Sequence, residues 1–207
     1  MKREHYDRDA PTASEGRQVF LSAHPSASKD FHTDEELWRA FREGSKIAFK
    51  EIYERNADLL YIYGKKITGN TSLIEDKIQD LFLELWSKKT NLGIVKNIKA
   101  YLFTAFRNKL IDALKRSKKE VAFENEKNLE IVLSAQAIEL LSEDKILALT
   151  ASLNRLSSQR KEAIFLRYYN NLSCAEVAEI MKIKTQSVYN MISSGLMIIK
   201  ETLKQSL

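Results

Sequence analysis

The chain is short of the residues on which many enzymes and strand-rich folds depend. Its single cysteine, Cys174, excludes a disulfide within the chain. All three histidines lie in the first 32 residues, so the remainder has no histidine for a catalytic triad or a Cys/His zinc site. No apolar run approaches the ~20 residues of a membrane span. Residues 1–30 also lack the apolar stretch of a secretory signal. We therefore expect a cytoplasmic protein without a metal or cofactor and without insertion into lipid.

Proline and glycine are also scarce, and both prolines lie in the first 30 residues. Strand-rich folds need frequent turn residues. Long proline-free segments rich in Leu, Ile, Lys and Glu predict helices instead. The fold class is therefore predicted to be all-α.

Charge and apolar periodicity divide the chain into four segments. A polar tail is predicted for residues 1–32, a first helical domain for 33–118, an acidic flexible linker for 119–142 and a second helical domain for 143–207. Capping boxes of Thr33 with Glu36 and of Ser72 with Glu75 predict helix starts in the first domain. The net charge is +6 over residues 34–119, −5 over 120–145 and +4 over 146–207. Two basic blocks around an acidic linker favour two surfaces for one polyanion, although solvated helix faces give the same pattern.

A basic helix is predicted from about Asn97 to Lys118. Residues 88–119 carry ten basic side chains and one acidic side chain. Apolar residues recur every fourth position and predict its core face: Ile98, Leu102, Phe106, Leu110 and Leu114. The basic face suits a nucleic-acid backbone, and nearby aromatic rings suit base stacking. Phe106 is assigned to the core, while Tyr101 and Phe103 fit the core or a stacking role equally well.

A helix-turn-helix motif is predicted over residues 172–195. Ser173 and Glu176 form a capping box for its first helix, and Ala178 is small where the two helices cross. On the second helix, Val188 and Ile192 lie one turn apart on the buried side. Gln186, Asn190, Ser193 and Met197 fall on the opposite face, with Tyr189 at its margin. Such a helix enters a DNA major groove, where Asn and Gln pair with adenine. A plain helical hairpin, with its polar face in water, remains the alternative.

Three segments together resemble a bacterial RNA polymerase sigma factor of the extracytoplasmic-function class. Residues 75–86 (Glu-Asp-Lys-Ile-Gln-Asp-Leu-Phe-Leu-Glu-Leu-Trp) are similar to region 2.2 of that family. Residues 100–116 (Ala-Tyr-Leu-Phe-Thr-Ala-Phe-Arg-Asn-Lys-Leu-Ile-Asp-Ala-Leu-Lys-Arg) resemble regions 2.3 and 2.4. Residues 156–173 look like region 4.1 running into region 4.2. The resemblance implies a region 2-like bundle and a region 4-like helix-turn-helix domain.

The resemblance also implies partners and site residues. It implies binding to the β′ and β subunits of core RNA polymerase, to promoter DNA and to an anti-sigma factor, which is membrane-bound in the subgroup that residues 188–192 resemble. Residues for the −10 element are then Asn97, Lys99, Tyr101, Arg107, Asn108, Lys115 and Arg116. Residues for the −35 element are Lys182, Lys184, Thr185, Gln186, Tyr189, Asn190 and Ser193. Residues for core polymerase are Asp76, Gln79, Asp80 and Trp86.

The chain departs from the family pattern at several positions, and two other functions compete with this interpretation. Ser157 replaces a common proline, Lys182 a common turn glycine and Lys184 a common serine cap. The recognition helix also has fewer basic residues than is typical, so its phosphate grip is expected to be weaker. One competing function is a stand-alone helix-turn-helix regulator. The other is an enzyme that holds Mg²⁺ through Asp76, Asp80 and Glu84.

Overall fold

Within the ranges that the computed structural model describes, residues 31–117 and 143–205, the chain forms eight α-helices and no strand. The first range contains α1 (Asp34–Arg42), α2 (Lys46–Ile67), α3 (Thr71–Lys88), a short 3₁₀ turn (Lys89–Asn91) and α4 (Ile98–Arg116). The second contains α5 (Glu143–Asn154), α6 (Ser158–Ile164), a π-helical turn (Phe165–Tyr169), α7 (Cys174–Met181) and α8 (Thr185–Gln205). The predicted linker, and the predicted tail before residue 31, lie outside these ranges.

Side-chain caps explain where most helices of the first range begin. Thr33 Oγ1 accepts from Glu36 N at 3.2 Å, as predicted, but the Glu36 carboxylate accepts from His32 N rather than from Thr33 N. The prediction that Ser72 starts the next helix is wrong. Asn70 Oδ1 accepts from Leu73 N at 3.1 Å, so α3 begins at Thr71. Asparagine caps a helix as well as serine does. The helix therefore begins after Asn70, the earlier of the two candidate caps, whose side chain accepts from a free backbone N–H.

The first four helices pack around a core to which α3 and α4 contribute one apolar face each. The predicted core face of α4 is confirmed, since Ile98, Leu102, Phe106, Leu110 and Leu114 are all buried. Phe103 is also fully buried, which decides its role as a core residue. Gly64 of α2 permits a close approach, because a Cβ there would lie 2.8 Å from Ile74 Cγ2 and 3.1 Å from Phe106 Cζ.

The helix-turn-helix has the architecture predicted from its spacing. Ser173 and Glu176 form the reciprocal capping box at the start of α7. The turn after α7 places Lys182 in the left-handed region, with φ of 56°. Val188 and Ile192 are buried on the inner side of α8. Gly195 lets α8 pass close to α6, because a Cβ there would lie 2.8 Å from Ile164 Cδ1.

The two halves of the chain share one apolar core, an arrangement that the sequence did not predict. Ala163, Phe165, Leu166, Leu172 and Val177 of the second half are fully or almost fully buried and belong to the core cluster of the first four helices. A smaller cluster holds α5, α6 and α8 together through Leu149, Leu153, Leu156, Ile164 and Ile199. Apolar residues of α6, the π turn and α7 therefore complete the core of the first half.

Candidate nucleic-acid interface

The exposed face of α8 presents a row of polar side chains to solvent. All residues predicted for the −35 element are exposed: Lys182, Lys184, Thr185, Gln186, Tyr189, Asn190 and Ser193. Gln186 Nε2 donates to Asn190 Oδ1 at 3.1 Å, which links two amides one helical turn apart. The buried face of α8 holds the helix against the domain, so its polar face is available for a major groove.

The residues predicted for the −10 element fall into two groups along α4. Lys115 and Arg116, in the last turn, are exposed. The others are half-buried: Asn97, Lys99, Tyr101, Arg107 and Asn108. The Tyr101 ring packs edge-on against Trp38, with ring centroids 5.3 Å apart. Only the C-terminal end of α4 is therefore open to a large ligand.

Two of the half-buried residues, Asn97 and Lys99, bond to the second half of the chain. Asn97 Oδ1 caps α4 by accepting from Ala100 N at 3.0 Å, while its Nδ2 donates to Glu176 Oε1 at 2.7 Å. Lys99 Nζ donates to the carbonyl oxygen of Asn170 at 3.3 Å. The N-terminal end of α4 thus lies against α7 and the turn before it.

Arg107 forms an ion pair with Glu162 of the second half. Its Nε donates to Glu162 Oε1 at 2.7 Å, and its Nη2 donates to Glu162 Oε2 at 3.2 Å. The Tyr63 hydroxyl donates to the same Oε1 at 2.6 Å. We call these three residues the interdomain latch. Neither Tyr63 nor Glu162 was predicted as a site residue, because each occurs in a helix without a local partner that would mark it.

The electrostatics of the interdomain latch follow from burial and from the Glu162 carboxylate. Burial, and then the charge of Glu162, raises the pKa of Tyr63 well above its ordinary value, so the phenol keeps its proton. Burial alone lowers the pKa of Arg107, but the hydrogen bond and charge of Glu162 outweigh it and the net pKa is raised. Arg107 therefore stays charged and Tyr63 stays a hydrogen-bond donor across the physiological pH range.

A separate polar face lies on α3. Asp76, Gln79 and Asp80 are exposed there, and Asp80 accepts from Lys77. Trp86 is half-buried: its ring packs against Phe49 at 5.0 Å between centroids and lies under the Lys89 ammonium at 4.3 Å. The acidic and amide groups of this face are accessible to a partner, whereas Trp86 helps to hold α3 in the bundle.

Two of the three carboxylates of the magnesium hypothesis, Asp80 and Glu84, are paired with lysines, which disfavours that hypothesis. Glu84 accepts from Lys109 and Lys88. The hydrogen bond from Lys109, followed by that from Lys88, holds the pKa of Glu84 at about 2. In the described part of the chain, no group of three or more His, Cys, Asp or Glu side chains is placed to hold a metal ion. The described helices also include none with the length and apolar composition of a membrane span.

Comparison with known proteins identifies both halves. A family model for Sigma-70 region 2 matches residues 52–120, and one for Sigma-70, region 4 matches residues 146–198. The chain belongs to the sigma-70 family, in its extracytoplasmic-function (ECF) group. Sigma factors are DNA-binding initiation factors, so the chain is a promoter-recognising protein and not an enzyme. The region 2 match also argues against a stand-alone helix-turn-helix regulator.

Individual relatives agree with this family. The chain is 29% identical over 164 residues to the ECF sigma factor BldN of Streptomyces coelicolor, covering 76% of this chain and 61% of BldN. It is 24% identical over 176 residues to the ECF sigma factor SigW of Bacillus subtilis, covering 80% of this chain and 92% of SigW. The chain therefore spans less than two thirds of BldN but nearly the whole of SigW.

Two solved structures share the fold. The sigma factor RpoE of Bartonella quintana, solved with the anti-sigma factor NepR, aligns with a TM-score of 0.52 at 23% identity over 75% of this chain and 96% of RpoE. CnrH, solved with the cytosolic domain of CnrY, aligns with a TM-score of 0.53 at 19% identity over 83% of this chain and 97% of CnrH. At these identities the likeness establishes the all-α fold alone.

Proposed function

We propose that the exposed face of α8 reads the −35 element and that the basic side of α4 reads and opens the −10 element. The observation that carries this proposal is the exposed face of α8 formed by Gln186, Asn190 and Ser193, which lies opposite Val188 and Ile192. Gln186 and Asn190 offer amides that pair with adenine, and Lys182 and Lys184 suit phosphates beside them. Because this surface carries only a modest positive charge, it contributes more to the selection of promoter sequence than to the affinity for DNA.

In the proposed opening step, α4 binds the single strand more tightly than the duplex. Unstacking a base costs a few kcal/mol, which stacking and phosphate contacts offset once the strand is held. Lys115 and Arg116 are exposed at the end of α4 and suit those phosphates. Tyr101 and Asn108 precede Lys115 at seven-residue intervals and extend its side of α4 toward the start of the helix, with Arg107 on the flank.

We further propose that the exposed face of α3 docks on the β′ subunit of core RNA polymerase. Asp76, Gln79 and Asp80 supply hydrogen-bond acceptors and an amide there, and Trp86 supports the helix from behind. The second domain would contact the β subunit. Such a protein works in the cytoplasm, where polymerase and chromosome are. Because RpoE was solved with the anti-sigma factor NepR, we propose that an anti-sigma factor, membrane-bound in the subgroup that residues 188–192 resemble, also binds this chain.

Transcription by purified core polymerase with the full chain tests the proposal. We expect specific initiation from a subset of a random promoter library, and Lys115→Ala should lower promoter opening more than it lowers core binding. Lys65→Ala removes one exposed positive charge from α2 and serves as the matched control. A chain that neither binds core polymerase nor selects promoters would contradict the proposal, as would equal losses of opening and core binding in Lys115→Ala.

A further inference from the structure

A cavity of about 350 Å³ lies where the first half of the chain meets the turn before α7. Proteins bind small molecules in cavities of roughly 300–1,000 Å³. One side of the lining comes from α1, α2 and the start of α4, and the other side comes from the second half. Polar groups dominate the lining, and those that concern a ligand are Asp34, Arg55, Asn56, Lys99 and Asn170. The cavity therefore suits a small polar molecule.

Asn170 has an incomplete set of hydrogen bonds in this lining. The residue is 1% exposed, yet neither its Nδ2 nor its Oδ1 has a hydrogen-bond partner among the described residues. A buried amide without a partner costs free energy, and such groups are rare in folded proteins. A bound group that donates and accepts a hydrogen bond would offset this cost. The amide thus points to a polar ligand at this place.

Two cations of the lining suit a carboxylate. Lys99 Nζ donates to the Asn170 carbonyl oxygen at 3.3 Å and keeps its other donors for a ligand. Arg55 Nε donates to Glu51 Oε1 at 2.7 Å, which leaves the two Nη groups of the guanidinium to bind an anion. Lys99 also lies in the first turn of α4, where the helix dipole favours negative charge.

Two acceptors of the lining suit an ammonium group. Asp34 Oδ2 accepts from Ile98 N at 2.8 Å, and the second carboxylate oxygen is left for a ligand. Asn56 is buried, and its Nδ2 donates to the Ile52 carbonyl oxygen at 2.8 Å, so its Oδ1 is left to accept. A carboxylate and an amide oxygen both accept hydrogen bonds from an ammonium group. The lining thus offers partners for a positive charge as well as for a negative one.

We propose that this cavity binds a free α-amino acid between the two halves of the chain. The carboxylate of the ligand pairs with Lys99 and Arg55. Its ammonium group pairs with Asp34 and Asn56, and a polar side chain bonds to the Asn170 amide. The negative charge of Asp34 favours such a zwitterion over a phosphate dianion. This inference goes beyond the proposed function and does not depend on it.

The turn that carries Asn170 is held by hydrogen bonds of its own. Asn170 N donates to the Phe165 carbonyl oxygen, and Leu172 N donates to the Leu166 carbonyl oxygen, both at 3.2 Å. Arg167 Nη1 donates to the Leu172 carbonyl oxygen at 3.0 Å. These bonds fix the turn at the edge of the cavity, so a ligand does not have to order it on binding.

Isothermal titration calorimetry of the full chain with the common L-amino acids, one at a time at millimolar concentration, tests the site. We expect at least one of them to bind, with one molecule per chain. At about ten times its Kd, that amino acid should raise the Tm by about 3–6 °C. Absence of binding by every amino acid would overturn the site.

Derivatives of the best binder test its two charges. The N-acetyl derivative lacks the ammonium group and the carboxamide derivative lacks the carboxylate, so each should bind at least about tenfold more weakly. Inorganic phosphate serves as a simple anion and should bind more weakly than the amino acid. If phosphate or the N-acetyl derivative binds as tightly as the amino acid, the assignment of a zwitterion is overturned.

Matched substitutions test the location of the site. Lys99→Gln and Asp34→Asn each remove one charge from the lining and should weaken binding at least about tenfold. Asp34→Asn keeps an oxygen that can accept from Ile98 N, so the start of α4 should stay in place. Lys96→Gln and Glu35→Gln remove the same charges from exposed positions outside the lining and should change affinity little. Equal losses in the lining and control variants would overturn the location.

Asn170→Ala tests the contribution of the second half. This change removes the amide and keeps the carbonyl oxygen that accepts from Lys99. Without ligand, the variant should unfold at the same or a higher temperature, because it no longer buries an amide without a partner. With the amino acid, its affinity and its rise in Tm should both be smaller than those of the unsubstituted chain. Unchanged affinity and an unchanged rise in Tm would overturn binding between the two halves.

Discussion

Asn97 and Glu176 are 79 residues apart in the chain and join the N-termini of α4 and α7. The Asn97 Nδ2 donates to Glu176 Oε1 at 2.7 Å. Asn97 caps α4, and Glu176 completes the capping box of α7. Each side chain therefore serves its own helix and the partner helix at once. This pair fixes the start of the basic helix against the start of the helix-turn-helix.

The double role of Asn97 predicts an unusual response to a conservative substitution. Asp caps helices as well as Asn does, so Asn97→Asp should keep the cap, but it places a second carboxylate against Glu176. We expect a loss of about 1–2 kcal/mol in the free energy of unfolding, measured with urea. Asn70→Asp makes the same change at the cap of α3 and should stay within about 0.5 kcal/mol of the unsubstituted chain. Equal effects of the two substitutions would show that the Asn97–Glu176 bond adds nothing.

The turn of the helix-turn-helix predicts a stabilising substitution. Lys182 adopts φ of 56°, a conformation that costs a residue with a side chain roughly 1–2 kcal/mol. Lys182→Gly should raise the free energy of unfolding by about 0.5–1 kcal/mol, since the greater freedom of glycine in the unfolded chain offsets part of the gain. Asn171, at φ of 55°, is the matched control, because asparagine tolerates this region and Asn171→Gly should change little. Thermal and urea unfolding measure both; a destabilised Lys182→Gly chain would contradict the strain argument.

The Glu84 cluster predicts a pH dependence in the acid range. Lys109 and Lys88 hold the pKa of Glu84 at about 2 in the folded chain, below its ordinary 4.5. A carboxyl with a lowered folded pKa stabilises the fold above its unfolded pKa, and that contribution is lost as pH falls from about 4.5 toward 2. Because the side chain is 41% exposed, solvent screening limits the effect to roughly 0.2–1 kcal/mol.

Urea unfolding between pH 6 and pH 2.5 measures this dependence. The stability difference between the unsubstituted chain and Glu84→Gln should shrink as the pH falls. Lys109→Gln removes the main hydrogen-bond donor to Glu84. It should therefore lose most of the stability that Glu84 contributes at pH 6. A stability difference that is constant across this pH range would contradict the assignment.

The α8 surface predicts which residue sets the −35 preference. Asn190 lies on the exposed face one turn after Gln186, and a bidentate amide–adenine contact discriminates by roughly 1–3 kcal/mol. Asn190→Ala in reconstituted holoenzyme should therefore reduce preference at one −35 position by about tenfold or more. Met197 is exposed two turns further along and serves as the control, because base contacts come from the N-terminal part of such a helix. Promoter selection from a randomised −35 library measures both, and an unchanged Asn190→Ala profile would remove Asn190 from the reading face.

Local pattern predicted most of the helices and the orientation of their faces. The every-fourth spacing from Ile98 to Leu114 identified the core side of α4, and all five residues are buried. The wheel of α8 separated Val188 and Ile192 from Gln186 and Asn190 correctly. The start of α3 was wrong by two residues, because Asn70 and Ser72 are both good caps and only the folded chain shows which one reaches an N–H.

Burial of polar residues was harder to predict than burial of apolar ones. The sequence assigned Arg107 to a basic face, and its neighbours in the sequence suggested that its side chain contacts solvent or DNA. Its partner Glu162 is 55 residues away, and the two sit on opposite sides of the acidic segment. No periodic signal links them, because each occupies an ordinary position on its own helix.

The sequence by itself determined that the chain is all-α and which sides of its helices are apolar. It also determined that its motifs are those of sigma regions 2 and 4. Those properties depend on residues a few positions apart, which the helical repeat brings together locally. Only the tertiary structure decided that the two halves share a core and that Glu162 occupies Arg107 and Tyr63. Contacts between residues 55 and 99 positions apart arise when two helical units pack, and packing depends on the shape and charge of whole surfaces.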